Sequence, residues 1–243
     1  MIHYHGTPMS PDSAAAKILM GRHACVSFAN PEQIELVAEI CQSFILDNGA
    51  FSEWKLGKQV DFDGYHKWVM EWECHPGFDW ALIPDVIDGS EKENDDFLKK
   101  WKLAGNKTGV PVWHIHESLA RLSSLTEKYE KVAFGSSGQY STIGTIRWWA
   151  RMNEAMAVVT KNGRPFTKLH GLRMLDPEIF TKFPFASTDS TNVARSIGLD
   201  NRWNGSYQPP SKAVRGIVLA ERIESQQSAS VWVKSKRGRK GLF

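Results

Sequence analysis

Eight short apolar and β-branched runs punctuate the 243 residues of this chain, each followed by a helix-like stretch. The runs are HYH (3–5), ACVSFA (24–29), SFILD (43–47), WALIPD (80–85), VPVWHIH (110–116), KVAFG (131–135), KLHGL (168–172) and PFASTD (184–189). Helical periodicity occupies residues 11–21, 31–42, 61–73, 90–105, 118–129, 142–160 and 176–183. A polar insert, 199–210, delays the eighth helix to 211–225. Local signals support several of these helices. Asn30 and Pro31 predict an N-cap and first helical position. Ser90 and Glu93 form a capping-box pattern, and Gly105 suits the helix end. In the third helix Tyr65, Val69 and Trp72 share a face. Strict strand–helix alternation, eight times in about 250 residues, predicts an α/β fold of the (β/α)8 TIM-barrel type. A doubly wound open sheet is the competitor, but the strand count and the lack of a glycine-rich nucleotide fingerprint weigh against it.

Residues 1–226 are read as one barrel domain and 227–243 as a basic tail. Apolar residues make up 42% of the chain, enough for a real core. No apolar run approaches the roughly 20 residues of a membrane-spanning helix. MIHYHGTPMS resembles neither a signal nor a transit peptide, so a cytoplasmic protein is expected, in the host cytoplasm if phage-encoded. Cys25, Cys41 and Cys74 are too few and too scattered for a disulfide framework, and no CxxC pair suggests zinc. Most of the ten tryptophans are expected in the core.

In a barrel of this kind the active site is built at the C-terminal ends of the strands. Those ends carry Asp47-Asn48-Gly49-Ala50-Phe51, Pro84-Asp85, His114-Ile115-His116-Glu117, Gly135-Ser136-Ser137-Gly138-Gln139-Tyr140, Gly171-Leu172-Arg173-Met174 and Thr188-Asp189-Ser190. Three aspartates, Asp47, Asp85 and Asp189, are thus expected to converge on one mouth. Each alone has a simpler explanation as a turn or cap residue. Asp189, where a strand gives way to a helix, is the sharpest case.

The segment DNGAF resembles the DSGGF/DSGAF signature of the guanine transglycosylases, which exchange guanine in nucleic acid for a 7-deazaguanine. The likeness spans roughly residues 43–195 and rests mostly on the order of the elements. Asp85, His116-Glu117, the GSSGQY loop, Gly171-Leu172 and Asp189 follow DNGAF as the corresponding elements do in that family. The cysteine-rich zinc subdomain of the tRNA-acting members has no counterpart here. The chain is shorter and is more similar to the compact phage and bacterial relatives acting on DNA.

The resemblance implies roles residue by residue. Asp189 becomes the nucleophile that traps the sugar carbon, and Asp47 the general acid and base. Asp85 accepts from the N1–H and exocyclic amine of guanine, a donor pair suited to a carboxylate. Amides of Gly135, Ser136, Ser137 and Gly138 hold the carbonyl oxygen, and Phe51 or Met174 stacks on the base. Asn48, His116, Glu117, Gln139, Gly171 and Leu172 complete the expected base site. Arg195, Lys234, Lys236, Arg237, Arg239 and Lys240 are expected to meet phosphates. The implied partners are nucleic acid, DNA favoured over tRNA, and a free 7-deazaguanine such as preQ0. No cofactor and no metal are expected.

Two other readings stay open. His3-Tyr4-His5, His114-Ile115-His116 and Asp189 sketch the ligand pattern of a metal-dependent amidohydrolase, although the sixth strand ends without a histidine. A non-catalytic nucleic-acid-binding barrel would use the basic tail equally well.

Overall fold

The computed structural model describes residues 1–58, 61–105, 108–198, 203 and 206–234. Its parallel strands are β1 (Ile2–Gly6), β2 (His23–Ser27), β3 (Ser43–Asp47), β4 (Phe78–Leu82), β5 (Gly109–Val110), β6 (Val112–His114) and β7 (Lys131–Gly135). A short antiparallel hairpin, β8 (Thr160–Lys161) and β9 (Arg164–Pro165), precedes β10 (Lys168–Gly171) and β11 (Ser187–Ser190). The parallel sheet has the order β5-β4-β3-β2-β1-β11-β10-β7-β6.

The two ends of this sheet, β5 and β6, are consecutive in the chain and separated only by Pro111. Proline has no N–H to give a ladder, so regular pairing breaks there. The Val110 carbonyl still accepts from Ile83 on one side, and the Pro111 carbonyl accepts from Ala133 on the other. The run expected as one fifth strand thus changes neighbours midway, and the sheet curls into a barrel of eight strand positions. The fold is α/β and of the TIM-barrel type.

Helices α1 (Asp12–Leu19), α2 (Ile34–Ile40), α3 (Ala50–Lys55), α4 (Phe62–Trp72), α5 (Glu91–Leu103), α6 (Leu119–Lys128), α7 (Ile146–Val159), α8 (Pro177–Phe180), α9 (Asn192–Ser196) and α10 (Lys212–Glu224) flank the sheet. The Ser90–Glu93 capping box forms as expected. Asn30 and Pro31 do not open α2, which starts three residues later than expected. The Gln33 side chain is tied to both backbone groups of Met9 and to Asp12, so the chain stays in turns until Ile34. Helix α3, directly after DNG, and the β8–β9 hairpin were not legible as elements.

Apolar side chains fill both faces of the sheet. Tyr4, Cys25, Ile45, Trp80, Leu82, Val110, Val112 and Ala133 pack together inside the barrel. Two larger clusters lie between sheet and helices, one around Ile18, Phe44 and Tyr65, the other around Trp113, Trp148 and Phe180. Six of the ten tryptophans are buried, three are half-buried and Trp54 is exposed. All three cysteines are free.

The segment read as the start of the tail is docked on the barrel. Ala229 N–H donates to the Phe183 carbonyl and Trp232 N–H to the Gly163 carbonyl, and the Trp232 ring packs on the Trp148 cluster. Gly163 follows α7 and Phe183 precedes β11, so this contact lies at the N-terminal end of the strands, opposite the mouth. Lys234, exposed just beyond it, is therefore not brought to the mouth. Lys236, Arg237, Arg239 and Lys240 lie outside the described residues, as does half of the polar insert.

Candidate active site

The DNGAF segment builds one wall of the mouth by a local device. The Asp47 carboxylate accepts from the Gly49 N–H at 2.6 Å, closing a turn over Asn48. Gly49 takes φ +76°, and a Cβ there would stand 2.9 Å from the Ala29 nitrogen, so the turn needs glycine. The same oxygen, Asp47 Oδ1, accepts from the Ser27 hydroxyl at 3.2 Å. Its Oδ2 accepts no hydrogen bond from the described residues. Burial raises the Asp47 pKa to about 6, and the nearby Asp189 and Asp85 charges add to the rise. The Gly49 N–H pulls the other way.

Asp189 sits within β11, paired to Tyr4 of β1, and is nearly buried. It does not cap α9: that helix has Thr191 at its N-cap without a side-chain bond, and the Ser190 hydroxyl accepts from Asn192 N–H. Instead Asp189 Oδ1 accepts from the Arg173 N–H at 3.1 Å and meets Nε2 of His170 at 3.2 Å. No described residue donates to Oδ2. Both carboxylates thus have one oxygen held and one unengaged. Beneath them Cys25 is buried, and burial together with these two charges drives its thiol pKa well up.

Asp85, on the far side, is held at both oxygens. Asn48 Nδ2 donates to Oδ1 at 2.6 Å, and Nε2 of His114 meets Oδ2 at 2.7 Å. Asn48 also donates to the Ile83 carbonyl and accepts from Ala50 N–H, so it supports Asp85 and has little capacity left for a ligand. A Cβ on Gly135 would stand 3.1 Å from Nδ1 of His114, a tight contact against the ring that holds Asp85.

The loop after β7 presents unused donors. The N–H groups of Ser136, Ser137 and Gly138 find no acceptor among the described residues. The Ser136 hydroxyl accepts from Trp148 Nε1 and Ser137 Oγ meets His116 Nδ1, so both side chains brace the loop. Gln139 is exposed and accepts from Arg147.

Arg173 was not singled out in the sequence, yet it reaches three strand ends. Its N–H contacts Asp189, its Nη2 donates to the Ser136 carbonyl at 2.6 Å, and its guanidinium lies 4.1 Å over the Phe51 ring. It adopts φ +59° in the turn after Gly171, a left-handed conformation unusual for arginine. A non-glycine residue held that way at a site mouth is strained, and several contacts hold it. Lys55 also lies over Phe51, at 4.3 Å, so two cations cover this ring as it stands.

Other expected site residues serve the scaffold. Glu117 is buried and pairs with Arg121 at 2.7 Å, while also accepting from Asn94 and the His114 N–H. Met174 is fully enclosed in the Trp148 cluster and cannot stack on a base. Gly171 lies against Met174 and Thr188, and Leu172 packs on the barrel interior. Arg195 is exposed on α9, which follows Asp189 at the mouth.

The amidohydrolase pattern fails on geometry. Alternation does give His3 and His5 the same side, but it is the outer one. His3 Nε2 meets the Gln226 carbonyl, and His5 Nε2 meets Glu224 on α10 at 2.8 Å. Among the described residues no group of three His, Cys, Asp or Glu side chains is arranged to hold a metal.

No family model and no curated protein matches this chain. A solved protein from Aquifex aeolicus VF5, titled a structural study, superposes with TM-score 0.50 at 13% identity, over 92% of this chain and 93% of its own. That likeness concerns the fold alone. No helix among the described residues is long and apolar enough to cross a membrane.

Proposed function

We propose that this protein is a guanine transglycosylase that replaces guanine in nucleic acid, DNA in preference to tRNA, by a 7-deazaguanine. The observation that carries the reading is the unlike pair at the mouth. Asp47 has its pKa raised to about 6, while Asp189 is held by a backbone N–H and an imidazole. A double displacement at a sugar carbon needs such a pair: a carboxylate that attacks and a carboxyl that exchanges a proton near neutral pH.

In the first step Asp189 Oδ2 bonds to C1′, the N-glycosidic bond breaks, and the departing guanine takes the Asp47 proton. In the second, Asp47 accepts the N9 proton of the incoming base, whose nitrogen attacks C1′ and releases Asp189. The ester stores the sugar between the two bases. Asp85 retains lone pairs for the guanine N1–H and amine, and the unused amides of residues 136–138 suit its carbonyl oxygen. A base in a duplex must be flipped out to reach this depth. Arg195, exposed on the helix that follows Asp189, would meet a phosphate.

The test is incubation with guanine-containing DNA, and separately tRNA, plus labelled guanine. Exchange into one of them, with a covalent adduct on a denaturing gel, is expected. Absence of exchange into both overturns the reading, and tight binding without exchange would favour a non-catalytic barrel.

A further inference from the structure

We propose that His170 is a positioning residue for Asp189, the middle of a Ser187–His170–Asp189 chain that fixes Oδ1 and leaves Oδ2 to meet the sugar. The inference rests on the reading of Asp189 as nucleophile and adds how that carboxylate is held and released.

The chain follows from strand register. Ser187 and Asp189 are two apart on β11 and face the same way, into the barrel. His170 pairs with Ser187 across the β10–β11 ladder, so its ring lies alongside both. Nδ1 is 2.8 Å from Ser187 Oγ and Nε2 is 3.2 Å from Asp189 Oδ1. A carboxylate only accepts, so Nε2 must carry the hydrogen. Nδ1 is then the acceptor, and the Ser187 hydroxyl, with no other partner among the described residues, donates to it. Ser187 thereby selects the tautomer that serves Asp189. The ring is fully buried, with the Trp80 ring 4.8 Å away nearly at right angles. Burial lowers the imidazole pKa, which keeps the donor neutral.

A second donor, Arg173 N–H, reaches the same oxygen. Two donors on Oδ1 stabilise the carboxylate more than the ester. They therefore favour the half-reaction in which the carboxylate departs from C1′. Removing one should slow that step and leave more enzyme as ester. General loosening of the site would lower the ester along with the rate.

The experiment compares wild type, His170→Leu, His170→Gln and Ser187→Ala on the nucleic acid that wild type exchanges. The readouts are exchange rate and steady-state adduct on a denaturing gel. Gln places an amide donor near the position of Nε2. His170→Leu should exchange about tenfold or more slowly, the worth of one hydrogen bond to a charged group, while its adduct fraction rises. The other charges around Asp189 and His170, on Asp47, Asp79, Lys131, Arg173 and Arg195, are unchanged between variants. Gln should restore most of the rate and bring the adduct fraction back toward wild type, and Ser187→Ala should fall between. Wild-type rate and adduct in His170→Leu, or Gln no better than Leu, overturns the inference while the nucleophile assignment stands. If His170→Leu does not fold, Gln and Ser187→Ala decide: adduct lowered in step with rate in both overturns it. No exchange and no adduct in wild type overturns both.

Discussion

Replacing Asp47 by Asn should stabilise the protein while abolishing its turnover. The asparagine carbonyl oxygen can still accept from Gly49 N–H and Ser27, so the turn that opens α3 is kept. What disappears is a carboxylate held in surroundings that disfavour its charge. A pKa moved from 3.8 to about 6 means that ionised Asp47 opposes folding. Between those values the folded protein binds more protons than the unfolded chain, so stability falls as pH rises through the interval. Above it the full penalty, about 3 kcal/mol, applies; at pH 4.5 about 1 kcal/mol has developed, and well below 3.8 almost none. Asp47→Asn should thus melt roughly 6–12 °C above wild type at pH 8 and roughly 2–4 °C above it at pH 4.5. Thermal melts by circular dichroism at the two pH values, with base exchange assayed in parallel, provide the check. A mutant no more stable than wild type at pH 8, or one with the same gain at both, would refute the electrostatic argument. A mutant exchanging guanine at near wild-type rate would remove Asp47 from the chemistry.

Asp189→Asn should melt near wild type, because the residue caps no helix. It should still bind nucleic acid and lose at least ~10³-fold in exchange, with no covalent adduct; substantial exchange would move the nucleophile to another carboxylate. Arg121→Met should destabilise by about 3–5 kcal/mol in denaturant titrations, since it leaves Glu117 buried and charged without its partner. Truncation after Ser230 should cost about 2 kcal/mol of stability by removing the docked Trp232, read as a lower midpoint in denaturant titrations.

Local periodicity determined much of this protein. Apolar runs and helical faces are set by neighbours within a few residues, and they yielded the eight strand positions, the flanking helices and the barrel type. Strand ends follow from the same pattern, so Asp47, Asp85 and Asp189 could be assigned to one mouth. The glycine of DNGAF is likewise local, because the turn it makes closes on itself.

Tertiary structure decided which way side chains look and whom they meet. Alternation states that His3 and His5 share a side, but only closure of the barrel turns that side toward α10. Glu117 looked available beside His116 until Arg121, one helical turn on, and Asn94 of α5 claimed it. Phe51 and Met174 were equal candidates for stacking, and packing put one at the mouth under two cations and the other in the core. The basic tail looked free to reach the mouth, yet its first residues dock at the opposite end through Trp232. The holders of Asp189, His170 and Arg173, lie 19 and 16 residues away in sequence. Their pairing depends on β10 and β11 lying side by side in register. No local pattern encodes that register; the packed, closed sheet does.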